Sequence, residues 1–361
     1  MAHVATHFIK LFAPWVPPGA EARLGDVLAS GQLAQGPKVA EFEYRFAERF
    51  AVPHAIAMNS GTAAMETAYD LLGLEGGDEV ITTPLTCTAT NLPLLRRDCR
   101  IVWADVERDT LCLDPADVER KITDRTKAIV QVHLGGIQAN VHTLGFPVPV
   151  VSDACQALGI FVGDYTACSF QAIKHLTTGD GGMLVVPDAM QAHQAKLLRW
   201  FGIDRERKIP DTWESYRTRM MSCAPEVLGA KRHMNDLAAM LGLEGLKHYD
   251  ANLAHRLRLA EVYQERLTGI AGIQVLRGRR NVSWLCTVLV EQRDNFAKML
   301  YTHGVECNLV QVRNDAFPIF GGRARLPVLD ELEGRYVSLP MGPHVSLGDV
   351  EFICSRIERG W

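Results

Sequence analysis

The stretch SFQAIKHLTTGDGG (residues 169–182) sets one lysine between an apolar run and a series of small residues. Phe170, Ala172 and Ile173 read as the end of a buried strand, and Thr177, Thr178, Gly179, Gly181 and Gly182 as a tight turn. Lys174 therefore falls where strand passes into turn. A lysine is rarely buried without a partner, and burial favours its uncharged, nucleophilic amine. A lone lysine beside a turn ordinarily reaches past it to water, so the meaning of Lys174 depends on what the rest of the chain brings to it.

Outward from this stretch, apolar strands alternate with helices. The strands are HAIAM (54–58), EVITT (79–83), RIVWADV (100–106), KAIVQVHL (127–134), PVPVVSD (147–153), ACSF (167–170) and GMLVVP (182–187). Helices fit 20–30, 62–73, 89–96 and 114–122, the last with Asp114 as N-cap and Pro115 at its first position. Another starts at Gly36-Pro37 and puts Val39, Phe42, Phe46 and Phe50 on one face. Near-continuous apolar strands separated by helices predict an α/β fold, a mainly parallel sheet covered on both faces. After about residue 240 the pattern changes. A long helix over 249–268, the strands IQVL and SWLCTVLV, and helices over 293–303 and 347–357 predict a smaller α+β unit, with Ser346 and Asp349 spaced as a capping box. The expected organisation is a large domain over 1–245, with an N-terminal arm, and a small C-terminal domain over 246–361.

Composition narrows the function. The 361 residues are 47% hydrophobic, enough for a sizeable core, and 38 basic against 42 acidic residues leave a net charge of −4. The charges are mixed along the chain, so there is no basic field of the kind that holds nucleic acid. Nine cysteines form no CxxC pair, and free thiols in a reducing compartment are expected, with no metal site. No secretory leader is read at MAHVATHFIKLF, and no apolar run approaches the ~18 residues that cross a bilayer. The expected location is the cytoplasm, with no membrane partner.

Ligands of a covered parallel sheet bind at the carboxyl ends of its strands. NSGTAAM (59–65) follows the strand HAIAM and opens a helix, so Ser60, Gly61 and Thr62 offer backbone N–H groups and hydroxyls to an anion, or else form an ordinary cap. Ser169 ends another strand. Asp153 ends PVPVVSD, and a buried carboxylate there needs a cation or several donors. A protonated pyridine nitrogen is one such cation, and a helix cap is the alternative. Phosphate, pyridinium and aldehyde are the handles of pyridoxal 5′-phosphate, and these three places could take one each.

At this point the sequence resembles the DegT/DnrJ/EryC1 family of pyridoxal-phosphate-dependent nucleotide-sugar aminotransferases. The resemblance is carried by SGQLAQGPKVAEFE (30–43), NSGTAAM (59–65), GLEGGDEVITTP (73–84), VHLGG (132–136), SDACQALG (152–159), SFQAIKHLTTGDGG (169–182) and AKRHMNDLAAMLGLEGL (230–246), in the family's order. It implies an aspartate-aminotransferase-like fold of type I and a homodimer with shared active sites. Lys174 then bonds the cofactor's aldehyde, Asp153 pairs with the ring nitrogen, Gln156 lies near the ring, and Ser60, Gly61, Thr62 and Ser169 hold the phosphate. Lys231 falls where relatives reach the phosphate of the neighbouring subunit. L-glutamate is the implied donor and a nucleotide-linked keto sugar the acceptor; by composition the segment NLVQVRNDAFPIFGG (308–322) is the candidate sugar site, with Arg313, Asn314 and Asp315 meeting hydroxyls and phosphate, or else a surface loop.

The chain departs from that family pattern in places. Many relatives stack an aromatic side chain on the ring where this chain has Cys87 or Thr88, and the connections flanking SDACQALG are shorter than usual. Some relatives that remove a sugar hydroxyl replace the lysine with histidine, whereas Lys174 is retained here beside His175. The competing functions are a nucleotide-sugar dehydratase, an aldolase or decarboxylase of the same fold type, and a non-catalytic cofactor-binding regulator. A nicotinamide oxidoreductase is disfavoured because no GxGxxG follows the first strand.

Overall fold

The computed structural model describes residues 8–206 and 224–361. In chain order the first elements are α1 (Ala20–Ser30), α2 (Pro37–Phe50), β1 (His54–Met58), α3 (Gly61–Leu71), β2 (Glu79–Thr82), α4 (Thr88–Leu95), β3 (Arg100–Trp103), α5 (Pro115–Lys121) and β4 (Thr126–Val132). They continue with β5 (Val150–Asp153), β6 (Tyr165–Ser169), β7 (Gly182–Val186), α6 (Ala189–Leu198) and α7 (Asp236–Leu267). The remainder is β8 (Ile273–Val275), β9 (Cys286–Val290), α8 (Arg293–Thr302), α9 (Pro327–Leu332), β10 (Tyr336–Leu339) and α10 (Leu347–Ile357).

Seven strands form one sheet in the order β1-β7-β6-β5-β4-β2-β3. Only β7 runs against its neighbours; the β2–β3, β2–β4, β4–β5 and β5–β6 pairs are parallel. One face packs on α1, α2 and α7 through Phe42, Phe46, Phe170 and Leu243, and the other packs on α3 and α6 through Met65, Tyr69 and Ala195. Both faces are covered, which is why the strands carry apolar residues in succession. The small unit is an antiparallel sheet, β10-β9-β8, packed on α8, α10 and the second half of α7. None of the described helices is long and apolar enough to cross a membrane.

The expected α/β class and the small antiparallel unit are both present. The strands are shorter than their apolar runs: RIVWADV forms strand only over 100–103 and PVPVVSD only over 150–153. Asp114 caps α5, accepting from the Ala116 N–H at 2.9 Å, and Ser346 and Asp349 form the capping box of α10. The long helix begins at Asp236, not 249, with Asn235 as its N-cap. Gly242 and Gly245 lie in its first half and are contact positions. A Cβ on Gly242 would lie 2.6 Å from Phe42 Cζ, and one on Gly245 2.9 Å from Leu176 Cγ. The boundary drawn between 245 and 246 thus falls inside one helix. Asp236 has a second duty there. Its carboxylate accepts the N–H groups of Gly36 (2.8 Å), Lys38 (3.2 Å) and Val39 (3.1 Å), capping α2 from outside.

Candidate active site

The C-terminal ends of β1, β4, β5 and β6 share one edge of the sheet, and the start of the reversed strand β7 meets them there. A cavity of about 490 Å³ opens at this edge. Ser60, Gly61, Thr62, Cys87, Asp153, Gln156, Ser169 and Lys174 all line it, so eight residues expected from separate segments meet in one place.

Lys174 stands in the connection from β6 to β7. Phe170 N–H donates to the Gly181 carbonyl (2.8 Å), Thr178 N–H to the Phe170 carbonyl (2.9 Å), and Thr178 Oγ1 to the Asp180 carbonyl (2.8 Å), so the loop closes on itself. Gly181 and Gly182 make this possible. A Cβ on Gly181 would lie 2.2 Å from Thr178 Oγ1, and one on Gly182 2.3 Å from the Ser60 carbonyl oxygen. The small residues that follow the lysine therefore press its loop onto the start of α3. The half-buried Lys174 extends its Nζ to 3.9 Å from the centre of the Trp284 ring. Burial pulls the ammonium below the usual lysine range, against the attraction of the Asp153 carboxylate. Cys155 stays a neutral thiol because burial pushes it up.

Asp153 is the last residue of β5 and is buried. Its Oδ1 accepts the Cys155 N–H (3.0 Å) and its Oδ2 accepts the Thr90 hydroxyl (2.6 Å). No arginine or lysine of the same chain forms an ion pair with it among the described residues, so its charge is left for something in the cavity. Gln156 is fixed by the Gly135 N–H, which donates to Oε1 at 2.8 Å, and Gly135 takes φ 63° inside VHLGG. At the start of α3, the Ser60 side chain caps the helix by accepting from Ala63 N–H at 3.0 Å. The N–H groups of Gly61 and Thr62 lie in the first turn, where a helix offers donors without intrahelical acceptors. A Cβ at Gly61 would sit 2.8 Å from both Cys155 Sγ and Ser169 Cβ, so glycine keeps this cradle open.

The other expected residues lie outside this cavity. Lys231 is exposed and lies outside the cavity of its own chain, in a bridge with Trp200. Arg313, Asn314 and Asp315 do not line the cavity and, as sugar ligands, are corrected. All three are buried, and Arg313 is wholly enclosed, with Nε and Nη2 donating to the two Asp315 oxygens at 2.7 Å each. Its remaining contacts are Asp330, the Ala324 carbonyl and Glu333. Asn314 bonds the loop before α4, donating its N–H to the Pro84 carbonyl (2.7 Å) and Nδ2 to the Thr86 carbonyl (2.8 Å). The wall facing Lys174 comes instead from Glu306, Asn308 and Gln311, with Leu11, Phe12 and Trp284. Trp284 is held by its indole N–H on the Ile173 carbonyl (3.0 Å) and by Phe12 stacked on it at 5.3 Å. Asn308 and Gln311 fall in the stretch NLVQVRNDAFPIFGG (308–322) whose composition suits a sugar site, whereas Trp284, Glu306 and the N-terminal arm were missed, because SWLCTVLV reads as strand and nothing local ties the others to Lys174.

The residues present fit pyridoxal 5′-phosphate: N–H donors and a glycine-sized gap for the phosphate, an unpaired strand-end carboxylate for the ring nitrogen, and a partly desolvated lysine for the aldehyde. A lysine, a carboxylate and a helix N-terminus converging at the carboxyl edge of such a sheet define an enzyme of the vitamin B6 class with fold type I. Residues 19–358 match the DegT/DnrJ/EryC1/StrS aminotransferase family, and the chain belongs to it. It is a sugar aminotransferase. The structure is similar to that of AtS13 from Actinomadura melliaura, at 36% identity and TM-score 0.91 over 99% of this chain and 100% of that one. It is similar also to the sugar aminotransferase CalS13 from Micromonospora echinospora, at 31% identity and TM-score 0.89 over 98% and 100%. In sequence it is 32% identical to the UDP-4-amino-4-deoxy-L-arabinose–oxoglutarate aminotransferase of Shewanella sediminis, over 76% of this chain and 72% of that protein. More distant structures of the same fold carry pyridoxamine phosphate.

Proposed function

We propose that this sugar aminotransferase moves the amino group of L-glutamate to a nucleotide-linked keto-deoxy sugar, giving an amino sugar and 2-oxoglutarate. The observation that carries the reading is the meeting of Lys174, Asp153 and the Gly61–Thr62 helix start in one cavity. Bound there, the cofactor supplies an electron sink for the carbon that loses its proton. Gly61, Thr62 and Ser169 hold its phosphate, Asp153 balances its ring nitrogen, and Gln156 flanks the ring. Lys174, its pKa lowered by burial, takes the proton from the donor's α-carbon and in the second half-reaction delivers one to the sugar carbon that receives nitrogen. Trp284 shields the amine from water. Glu306, Asn308 and Gln311 offer hydrogen-bonding groups to the sugar.

The active unit in this reading is a homodimer, in which the exposed Lys231 supplies an ammonium to the phosphate in the partner's cavity. A cytoplasmic location belongs to it too, supported by the eight described cysteines, all free thiols. The test is in two halves. Cofactor-loaded protein mixed with L-glutamate alone should release about one 2-oxoglutarate per site, and nucleotide-linked keto sugars added next should yield an amino sugar by mass spectrometry. No 2-oxoglutarate from glutamate refutes the donor, and loss of water from a sugar without nitrogen gain makes the protein a dehydratase.

A further inference from the structure

We infer that Thr90 is a positioning residue for Asp153, and that the small-domain residue Asn314 holds Thr90 in place; the inference rests on reading Asp153 as the partner of the ring nitrogen. Thr90 Oγ1 lies 2.6 Å from Asp153 Oδ2, and a carboxylate can only accept, so the Thr90 proton is committed to it. In the neighbouring contact between the Thr86 and Thr90 hydroxyls (2.8 Å), Thr86 must then be the donor. The two hydroxyls form a one-way chain that ends on Asp153. Thr90 is 0% exposed, Thr86 1% and Asp153 5%, so water hardly competes for these bonds.

The direction of the Thr90 hydroxyl is set from both sides. Its N–H donates to the Cys87 carbonyl (3.0 Å), and its carbonyl accepts the Tyr69 hydroxyl (2.9 Å). The loop carrying Thr86 is tied to the other domain. Asn314 donates to the Pro84 and Thr86 carbonyls, and its Oδ1 accepts from Asn91 Nδ2 at 2.9 Å. A β-branched side chain on so fixed a backbone has little rotamer freedom. With the Cys155 N–H on Oδ1 and Thr90 on Oδ2, the plane of the Asp153 carboxylate is held at both oxygens, and its remaining lone pairs face the cavity it lines. Without the Thr90 hydroxyl the carboxylate would be held at Oδ1 alone, by the Cys155 N–H.

Thr90→Val removes the hydroxyl at constant shape, and Thr90→Ser keeps it. Each variant is loaded with pyridoxal phosphate carrying 15N in the ring, and three quantities are read: the ring-nitrogen chemical shift, the cofactor dissociation constant, and the rate of the glutamate half-reaction. For Thr90→Val the expected result is a ring-nitrogen signal moved toward the unprotonated position and a half-reaction about 10- to 100-fold slower, the range for a lost bond to a charged group. Thr90→Ser should restore both. Asn314→Ala should move the same signal in the same direction by a smaller amount. A Thr90→Val signal identical to wild type, or a Thr90→Ser protein as impaired as Thr90→Val, overturns the role of Thr90, and an unmoved signal in Asn314→Ala overturns that of the loop. If the wild-type protein takes up no pyridoxal phosphate, the functional reading fails and this inference with it, so loading of wild type tells the two failures apart.

Discussion

Arg313→Leu distinguishes a structural clasp from a sugar ligand. The guanidinium is 0% exposed, and its fork donates two bonds of 2.7 Å to Asp315, which is itself 0% exposed. Removing the arginine leaves that carboxylate with the Ala324 N–H, at 2.9 Å, as its remaining side-chain contact from another residue. Breaking a buried pair in this way costs roughly 3–5 kcal/mol. Asp330 and Glu333 are partly exposed, so losing their contacts to Arg313 adds little. The expected result is an unfolding free energy lowered by that amount, read as a lower urea midpoint with an unchanged slope. Arg313→Lys should recover little, because a point charge cannot reproduce the fork. The double change Arg313→Met with Asp315→Leu should recover part, since both uncompensated charges are gone. Asn314 and the loop before α4 are attached to this pair, so turnover falls in step with stability. A variant of wild-type stability whose only defect is a raised KM for the sugar would refute this reasoning and restore Arg313 as a sugar ligand.

Gly61→Ala should weaken cofactor binding by roughly 1–3 kcal/mol as the new methyl group crowds Cys155 and Ser169, measured by equilibrium dialysis of pyridoxal phosphate. Lys231→Ala should lower cofactor affinity without lowering the melting temperature. Verified heterodimers of Lys174→Ala with Lys231→Ala should regain activity, because one site of each then carries both lysines, whereas no recovery would exclude the shared site. Burial pushes His133 and His175 down to about 3, so both stay neutral in the folded protein. The unfolded chain takes up these protons first, so the stability present above about pH 6.5 should drain away as pH falls toward 3. His175→Gln, which keeps a donor for the Val282 carbonyl, should flatten that slope in urea titrations at stepped pH.

The carboxyl edge of the sheet was legible because its residues follow strands directly. Asp153 closes β5, Ser169 closes β6, and Ser60 and Gly61 come just after β1, so reading the strands already reads the site. Trp284 and Glu306 were not legible, because they reach Lys174 through the packing of the small unit, which no local pattern encodes, and within 308–322 composition pointed to Arg313, Asn314 and Asp315 where the cavity is lined by Asn308 and Gln311. Arg313 and Asp315 show a different limit. An Arg-Asn-Asp run between loops has the composition of a solvated or ligand-binding surface, and only the fold reveals that the charges neutralise each other out of water. Gly242 and Gly245 are a related case. Their lack of a side chain resembles a helix stop until Phe42 and Leu176 are seen to fill the space. The short elements α6, α9 and β10 carried too few periodic residues to be read at all.

The 32-residue helix α7, about 48 Å long at 1.5 Å per residue, gives the two lobes a common mast. Its first half is nailed to the large lobe by Asp236 at α2 and by Met240 and Leu243 in the core, and its second half carries Leu259, Tyr263 and Leu267 into the small one. Anyone grafting the small lobe of one such enzyme onto another should therefore place no seam at 245/246, where Gly242 and Gly245 of the same helix still pack against Phe42 and Leu176 of the large lobe. The workable seam lies past Leu267, at Thr268–Gly269, where the mast ends and the chain turns with φ 86°.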